Sequence, residues 1–169
     1  IIVIRGSDGA IRALHNSCRH RGSALLLEQE GRTQRLVCPY HAWRYDLSGQ
    51  LMAVPEAHNF ACLDKTDRSL IPVQCETWNG LIYINLDAEA APLADFLEPV
   101  SRQVGPFPLG KAVVKDRISI GIDCNWKAAY DNFLEIYHVN VVHAKSIAPN
   151  LDSRSFAVSL LPHGHARMT

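Results

Sequence analysis

Two short segments of the sequence each combine a cysteine with a histidine. Cys18 and His20 form a Cys-x-His pair, Cys38 and His41 form a Cys-x-x-His pair, and 17 residues lie between the two pairs. Two thiolates and two imidazoles suit either a tetrahedral zinc ion or a mixed-ligand iron–sulfur cluster. The ligand types alone therefore predict a metal centre and leave a zinc-binding interaction module open as the alternative to a redox site.

A second group of possible ligands lies in a segment without glycine or proline. Glu135 and His138 share one face of a helix, whereas His138 and His143 are about 140° apart on a regular helix. Both imidazoles reach one metal only if the helix bends, loosens or ends, and the three β-branched valines between them favour such an irregularity. Taken alone, two histidines near a helix end are more often surface or capping groups than ligands.

The elements that must position these groups change character along the chain. Residues 1–86 contain short apolar runs between turn signals, of which Asn79-Gly80 is the strongest hairpin signal, and they predict a small antiparallel β domain. The spacing of Leu93, Phe96 and Leu97 and a Pro/Gly-rich stretch at 105–110 predict a connecting helix and linker over residues 87–110. Residues 111–169 then open a second domain, and the predicted fold class is α+β.

Three patterns predict the content of this second domain. Ile118, Ile120 and Ile122 alternate with small residues, as in a half-buried strand. The run from Trp126 to His143 consists of helix-compatible residues. Residues 150–169 return to strand-like segments around a turn, so a helix combined with an antiparallel sheet is expected.

Composition limits the functional classes. The chain has 169 residues, 47% of them hydrophobic, and a formal net charge of zero, so it gives no reason to expect nucleic acid or an anionic membrane as partner. Five cysteines are an odd number in a core-forming composition, which argues against a disulfide scaffold and for reduced thiols in the cytoplasm. The first residue lies inside an apolar run, and no turn signal precedes the last residue. We therefore expect the sequence to be an interior piece of a longer protein.

At the two groups of ligands the sequence resembles the Rieske-type non-haem iron oxygenases, specifically the large (alpha) subunit of the aromatic-ring-hydroxylating dioxygenase family. Cys-x-His followed by Cys-Pro-x-His-x-Trp matches the Rieske signature, with Ala42 where many relatives carry glycine. Asn-Trp-Lys at 125–127, followed by Asn-x-x-Glu-x-Tyr-His-x4-His at 132–143, resembles the catalytic motif. Two motifs in this order are more specific than either alone.

The resemblance implies a role for each residue. Cys18 and Cys38 would bind one iron of a [2Fe–2S] cluster, and His20 and His41 would bind the other. His138 and His143 would be two ligands of a mononuclear Fe(II), with the third, an aspartate, expected beyond residue 169. Glu135 would link the two iron centres across a subunit interface. Asp152, His163 and His165 are not assigned as ligands.

The resemblance also implies an activity. The family carries out O₂-dependent hydroxylation of aromatic or other small organic substrates, and its electrons come from NAD(P)H through a reductase and in some cases a ferredoxin. A homotrimer or an α3β3 assembly is expected, and the 169-residue piece is expected to be inactive alone. Most relatives carry aspartate at position 135, and glutamate occurs in those acting on quaternary ammonium compounds, so N-demethylation is an alternative. A Rieske electron carrier without oxygenase activity is another.

Overall fold

The structure, a computed structural model, describes residues 1–151 and 155–169. The chain divides into two compact units, Ile1–Ala91 and Pro92–Thr169. Antiparallel sheets and a few short helices make up the described elements, as expected for an α+β protein.

The first unit contains two antiparallel sheets. Four strands form one sheet in the order β1-β2-β6-β7, and three shorter strands form the other in the order β3-β4-β5. The strands are β1 (Ile2–Arg5), β2 (Ile11–Leu14), β3 (Leu36–Val37), β4 (Arg44–Tyr45), β5 (Leu51–Ala53), β6 (Pro72–Trp78) and β7 (Leu81–Asn85).

The hairpin predicted at Asn79-Gly80 joins β6 to β7. Both turn residues have positive φ, 49° and 84°, which is the conformation that Asn-Gly adopts readily in a two-residue hairpin. Trp78 pairs with Leu81 and the register continues to Gln74 and Asn85. The turn therefore sets the register of the longest strand pair in the unit.

A single apolar core fills the first unit. Leu36 and Tyr45 are fully buried, and Leu14 and Trp43 are at most 3% exposed. Two cysteines, Cys18 and Cys38, belong to the same cluster of buried side chains. Burying apolar side chains of this size stabilises a fold by roughly 1.5–3 kcal/mol each. The core thus fixes the loops in which the two cysteines lie.

The second unit contains three α-helices and one strand pair among its described residues. Helix α1 (Leu93–Val104) agrees with the helical spacing read from the sequence, and α2 (Trp126–Asn132) begins after Asn125, whose side chain accepts a hydrogen bond from the N–H of Lys127. Helix α3 (Val139–Val142) is a single turn, and β8 (Val158–Leu160) pairs with β9 (Ala166–Met168). The N-cap asparagine explains why α2 starts where it does.

Two predictions for the second unit were wrong. Residues 112–122 form no strand, and Ile118 and Ile120 are 78% and 77% exposed. An isolated strand cannot pair its backbone N–H and C=O groups, and no described strand lies beside this segment. The helix expected from Trp126 to His143 is interrupted at residues 133–138, which separate α2 from α3. The irregularity expected at the valines between His138 and His143 therefore lies before His138, and the valines themselves are in α3.

Helix length bears on membrane insertion. Within residues 1–151 and 155–169, no helix combines the length and the apolar character that crossing a bilayer requires. The longest α-helix, α1, has 12 residues and contains Pro99.

Candidate metal centres

The two cysteine–histidine loops of the first unit share one backbone hydrogen-bond pattern. In the first loop the N–H of Cys18 donates to the carbonyl of Ser23 at 2.8 Å, and the N–H of Gly22 donates to the carbonyl of Cys18 at 2.8 Å. In the second loop the N–H of Cys38 donates to the carbonyl of Trp43 at 2.9 Å, and the N–H of Ala42 donates to the carbonyl of Cys38 at 3.0 Å. Each cysteine therefore begins a tight turn that carries its histidine.

The equivalent turns both need a residue in the left-handed region. Gly22 has φ 74° and Ala42 has φ 56°. Glycine reaches this region without steric cost, whereas the Cβ of alanine clashes with the following carbonyl. The backbone thus explains why glycine is common at position 42 among the proteins that this sequence resembles, and it shows that alanine is accepted there with some strain.

The two turns bring the imidazoles of His20 and His41 together. Their ring centroids are 4.6 Å apart with the planes at 65°. The ring of His20 also stacks on buried Trp43, at 4.8 Å and 5°. Burial lowers the pKa of His20, with a smaller contribution from the positive charges nearby, so its ring is held neutral as metal ligation requires.

The thiols of Cys18 and Cys38 are also neighbours. Both are at most 3% exposed, and each affects the other's pKa. Burial raises the pKa of Cys18. For Cys38 burial acts in the same direction, but hydrogen bonds from the backbone N–H groups of His41 and Tyr40 and from the side chains of Cys18 and Ser23 together outweigh it and lower the pKa of this thiol. These N–H groups stabilise a thiolate on Cys38, the form that binds metal.

Tyr45 completes the surroundings of Cys18. Its hydroxyl oxygen lies 3.3 Å from the Sγ atom of Cys18 and accepts a hydrogen bond from the N–H of Arg19 at 3.0 Å. Burial raises the pKa of Tyr45, so the hydroxyl keeps its proton. The sequence alone does not predict a role for Tyr45, because a tyrosine seven positions after Cys38 carries no signal of a contact with the loop of Cys18.

The donor set fits a Rieske [2Fe–2S] cluster. The Nδ1 atom of His20 is buried and has no hydrogen-bond partner among the described residues, which is costly unless a ligand occupies it. No three His, Cys, Asp or Glu side chains in the described ranges converge on a single metal position. A Rieske cluster does not require that, because each iron takes two protein ligands and the bridging sulfides supply the rest.

The second candidate centre depends on the interruption between α2 and α3. His138 is the N-cap residue of α3 and His143 is its C-cap residue, and their ring centroids are 5.4 Å apart. Helix α3 is anchored between them by Val139, which is 5% exposed. The helix therefore begins at one histidine and ends at the other. Because α3 is a single turn, the two rings at its ends lie close together.

Glu135 causes the interruption. Its Oε2 atom accepts hydrogen bonds from the backbone N–H groups of Tyr137 and His138, and its Oε1 atom pairs with Nδ1 of His138. A carboxylate that bonds the following backbone N–H groups competes with helical hydrogen bonds. The hydrogen bond with His138 lowers the pKa of Glu135. With Nδ1 engaged, the Nε2 atom of His138 is the one left for a metal.

The remaining candidates lie elsewhere or are not described. Asp152 lies outside the described residues. The Nε2 atom of His165 is 2.8 Å from the carbonyl oxygen of Phe96, and His163 contacts the same phenylalanine ring, so both histidines attach the β8–β9 hairpin to α1. No described contact joins either of them to His138 or His143.

Comparison with known proteins relates both centres to characterised families. Residues 1–70 match the Rieske [2Fe-2S] domain, and residues 109–168 match the catalytic domain of the ring hydroxylating alpha subunit. The chain is 36% identical to the glycine betaine monooxygenase oxygenase subunit of Pseudomonas aeruginosa, over 90% of this chain and 35% of that protein. It is 33% identical to the benzene 1,2-dioxygenase alpha subunit of Pseudomonas putida, over 96% of this chain and 38% of that protein.

A solved structure shows the same relationship. The quaternary ammonium Rieske monooxygenase CntA in complex with L-carnitine superposes with a TM-score of 0.83 at 28% identity, over 93% of this chain and 45% of that one. The chain spans little more than a third of the length of the curated relatives that it matches.

Proposed function

The chain belongs to the Rieske oxygenase alpha subunits, and from this we propose that it supplies the electron-transfer centre and part of the iron site of an O₂-dependent oxygenase. The observation that carries the proposal is that equivalent turns bring two buried cysteines together and two histidines together, with a buried imidazole nitrogen left without a partner. Such a site needs an inorganic group to complete it.

In the first centre, Cys18 and Cys38 would hold one iron of the [2Fe–2S] cluster, and His20 and His41 would hold the other. When bound, the cluster supplies one-electron transfer at a potential raised by its neutral imidazole ligands. The protein's part is to favour the neutral ring of His20, whose pKa burial lowers, to bury the sulfur ligands and to donate hydrogen bonds to them. His41 is exposed and gives electrons a route to and from the surface.

In the second centre, His138 and His143 would be two ligands of a mononuclear Fe(II), and a carboxylate beyond residue 169 would be the third. When bound, this iron supplies O₂ activation next to the substrate. Glu135 orients His138 through Nδ1 and would connect this centre to the cluster of a neighbouring subunit. In domain terms, residues 1–86 would form the cluster domain, 87–110 the connection and 111–169 the start of the catalytic domain.

Partners and assembly follow from the same proposal. Electrons would come from NAD(P)H through a separate reductase, with or without a ferredoxin, and the assembly would be a homotrimer or α3β3. Free cysteines and dependence on NAD(P)H agree with a location in the cytoplasm. Substrate would be a small organic molecule, and aromatic hydrocarbon breakdown is the first candidate pathway type.

Quaternary ammonium oxidation is the second candidate activity. Glutamate rather than aspartate stands at position 135, and relatives named as glycine betaine and carnitine monooxygenases match the chain at 33–36% identity. A substrate of this kind would undergo monooxygenation with loss of a C–N bond instead of ring dihydroxylation.

Substrate-dependent O₂ uptake by the natural protein that contains this chain, supplied with a reductase and NADH, tests the proposal. We expect uptake with one substrate class, aromatic hydrocarbons or quaternary amines. His138→Ala should abolish it while the visible spectrum of the cluster persists. If the loaded protein accepts electrons but oxidises neither class, the oxygenase function is wrong and the chain belongs to an electron carrier.

A further inference from the structure

The side chain of Asn16 closes the loop that carries Cys18 and His20. Its Oδ1 atom accepts hydrogen bonds from the N–H groups of Leu25 at 2.8 Å and Leu26 at 3.1 Å, and its Nδ2 atom donates to the carbonyl of Leu26 at 2.6 Å. One half-buried side chain thus makes three bonds across the base of the loop. We propose that Asn16 is a positioning residue for the iron–sulfur centre, which it serves by holding this ligand loop closed.

The inference, which rests on the proposed cluster, follows from how the loop is tied together. Backbone bonds close only the inner turn, between Cys18 and Ser23 and between Gly22 and Cys18. The outer part of the loop, from residue 24 to residue 26, joins the inner turn through the amide of Asn16. Loss of this amide therefore frees the segment that follows the ligands without breaking the turn itself.

Packing connects the same segment to the ligands. Leu25 is 5% exposed and belongs to the core cluster that includes Cys18. The bond from its N–H to Asn16 fixes the backbone of Leu25 at the place where its side chain enters this cluster. A ligand loop that is held closed in this way gives water and chelators little access to the metal, because the site opens only when the loop does.

The chemistry of the side chain explains why an amide is needed. A carboxamide offers an oxygen that accepts from two N–H groups and a separate nitrogen that donates to a carbonyl. Asn16→Asp keeps the acceptor but places a carboxylate oxygen against the carbonyl of Leu26. Asn16→Ala loses all three bonds. The expected order of loop stability is wild type, then Asn16→Asp, then Asn16→Ala.

Two measurements on the protein as purified test the proposal. The first is amide hydrogen exchange at Leu25 and Leu26, which should be roughly ten- to a hundredfold faster in Asn16→Ala, since three hydrogen bonds are lost. The second is the rate at which a ferrous chelator removes iron, which should rise by about tenfold or more for the same reason. Asn16→Asp should fall between Asn16→Ala and wild type in both.

Two control variants separate positioning from general stability. Val73→Ala removes buried volume from the β2–β6 strand pair, and Asn59→Ala removes an exposed asparagine that donates to Glu56. At an equal fall in melting temperature, Val73→Ala should leave iron release and the exchange of the Leu25 and Leu26 amides close to wild type. Asn59→Ala should change neither.

Specific results would overturn the inference. Wild-type exchange at Leu25 and Leu26 in Asn16→Ala would show that the amide does not hold the loop, whether or not a cluster is present. Equally fast iron release by Val73→Ala at the same melting temperature would show a merely structural role. A wild-type protein that binds no iron would instead refute the proposed function, and the exchange measurement would still decide the role of Asn16 in closing the loop.

Discussion

The hydroxyl oxygen of Tyr45 lies 3.3 Å from the Sγ atom of Cys18, and both side chains are buried. The same oxygen accepts the backbone N–H of Arg19, so the phenolic proton is directed to the sulfur. A metal-bound thiolate cannot donate, and the tyrosine is therefore the donor in the loaded protein. Hydrogen bonds to cluster sulfurs stabilise the reduced, more negative state and raise the reduction potential.

Tyr45→Phe should lower the potential of the cluster by tens of millivolts, because the bond to Cys18 is lost while the ring remains. It should also destabilise the first unit by about 0.5–1.5 kcal/mol, since the N–H of the half-buried Arg19 loses its partner. Spectroelectrochemical titration and urea unfolding measure the two effects. Tyr83→Phe, in strand β7, is the control and should leave the potential unchanged. An unchanged potential in Tyr45→Phe would contradict the donor role.

His20→Ala should abolish cluster binding. Its Nδ1 atom is one of two buried side-chain nitrogens without a partner among the described residues, and the cluster would occupy it. The ring of His41 is the described imidazole that lies beside it. Iron analysis should give about two irons per chain fewer than wild type under conditions that leave the mononuclear site unchanged. His58→Ala, at an exposed histidine in the turn Ala57–Asn59, should keep the full iron content. Full cluster retention by His20→Ala would exclude this ligand assignment.

Glu135→Gln should slow electron transfer between the two proposed centres and leave the cluster itself unchanged. The amide keeps the size of the side chain but removes the negative charge that pairs with Nδ1 of His138. We expect the cluster spectrum to stay as in wild type, and single-turnover electron transfer to the second iron to slow by about tenfold or more, the usual cost of removing such an outer partner. Wild-type transfer rates in this variant would argue against a bridging role. Glu76→Gln, in β6 of the first unit, provides a charge-matched control and should not slow the transfer.

Ala42→Gly should stabilise the second ligand turn. Alanine at φ 56° costs roughly 1–2 kcal/mol relative to its preferred conformations, and glycine offsets part of this gain through greater freedom in the unfolded chain. The net expectation is a gain of about 0.5–1 kcal/mol in the free energy of unfolding. Ala53→Gly, in strand β5, should have the opposite sign. Equal losses in both variants would mean that position 42 is not strained.

The ionisation of Asp46 makes the stability of the first unit depend on pH. Burial raises the pKa of this carboxyl, but bonds from the hydroxyl and N–H of Ser48 and the N–H of Gln50 outweigh burial and lower it. A folded-state pKa below the unfolded value means that the contribution is present above the unfolded pKa and is lost as pH falls through the folded pKa. Asp46→Ala should therefore cost about 1–2 kcal/mol at pH 7, and the difference from wild type should disappear in strong acid.

Asp64 provides the matched comparison. Its carboxylate also bonds the hydroxyl and N–H of a residue two positions later, Thr66, but it is exposed. Asp64→Ala should cost less than Asp46→Ala at pH 7 when both are measured by denaturant titration across the acid range. An acid-independent difference for Asp46→Ala would contradict the hydrogen-bond explanation.

Local sequence signals predicted the parts of the fold that local forces decide. Asn79-Gly80 predicted a hairpin because few other dipeptides place two consecutive residues at positive φ. Helix α1 was predicted from its apolar spacing. The turn signals around Pro162 likewise predicted the strand pair β8–β9, which they separate. The residue types of the two cysteine–histidine pairs predicted a metal centre, but they predicted neither which metal it holds nor the equivalence of the two turns.

The features that sequence analysis did not predict depend on side chains that contact distant or competing groups. The spacing of residues 126–143 is compatible with one helix, and only the bonds from Glu135 to the N–H groups of Tyr137 and His138 reveal why it is interrupted. The alternation at residues 118–122 is typical of a strand, but a strand also needs a pairing partner, which local pattern cannot supply. The roles of Asn16 and Tyr45 likewise depend on contacts 9 and 27 residues away.

The most direct test of the account is the iron and sulfide content and the reduced-state EPR spectrum of the chain after anaerobic reconstitution. We predict a coloured protein with equal amounts of cluster iron and acid-labile sulfide and a rhombic EPR signal on reduction. A colourless protein that carries zinc in place of iron, or that binds no metal through Cys18, His20, Cys38 and His41, would contradict it.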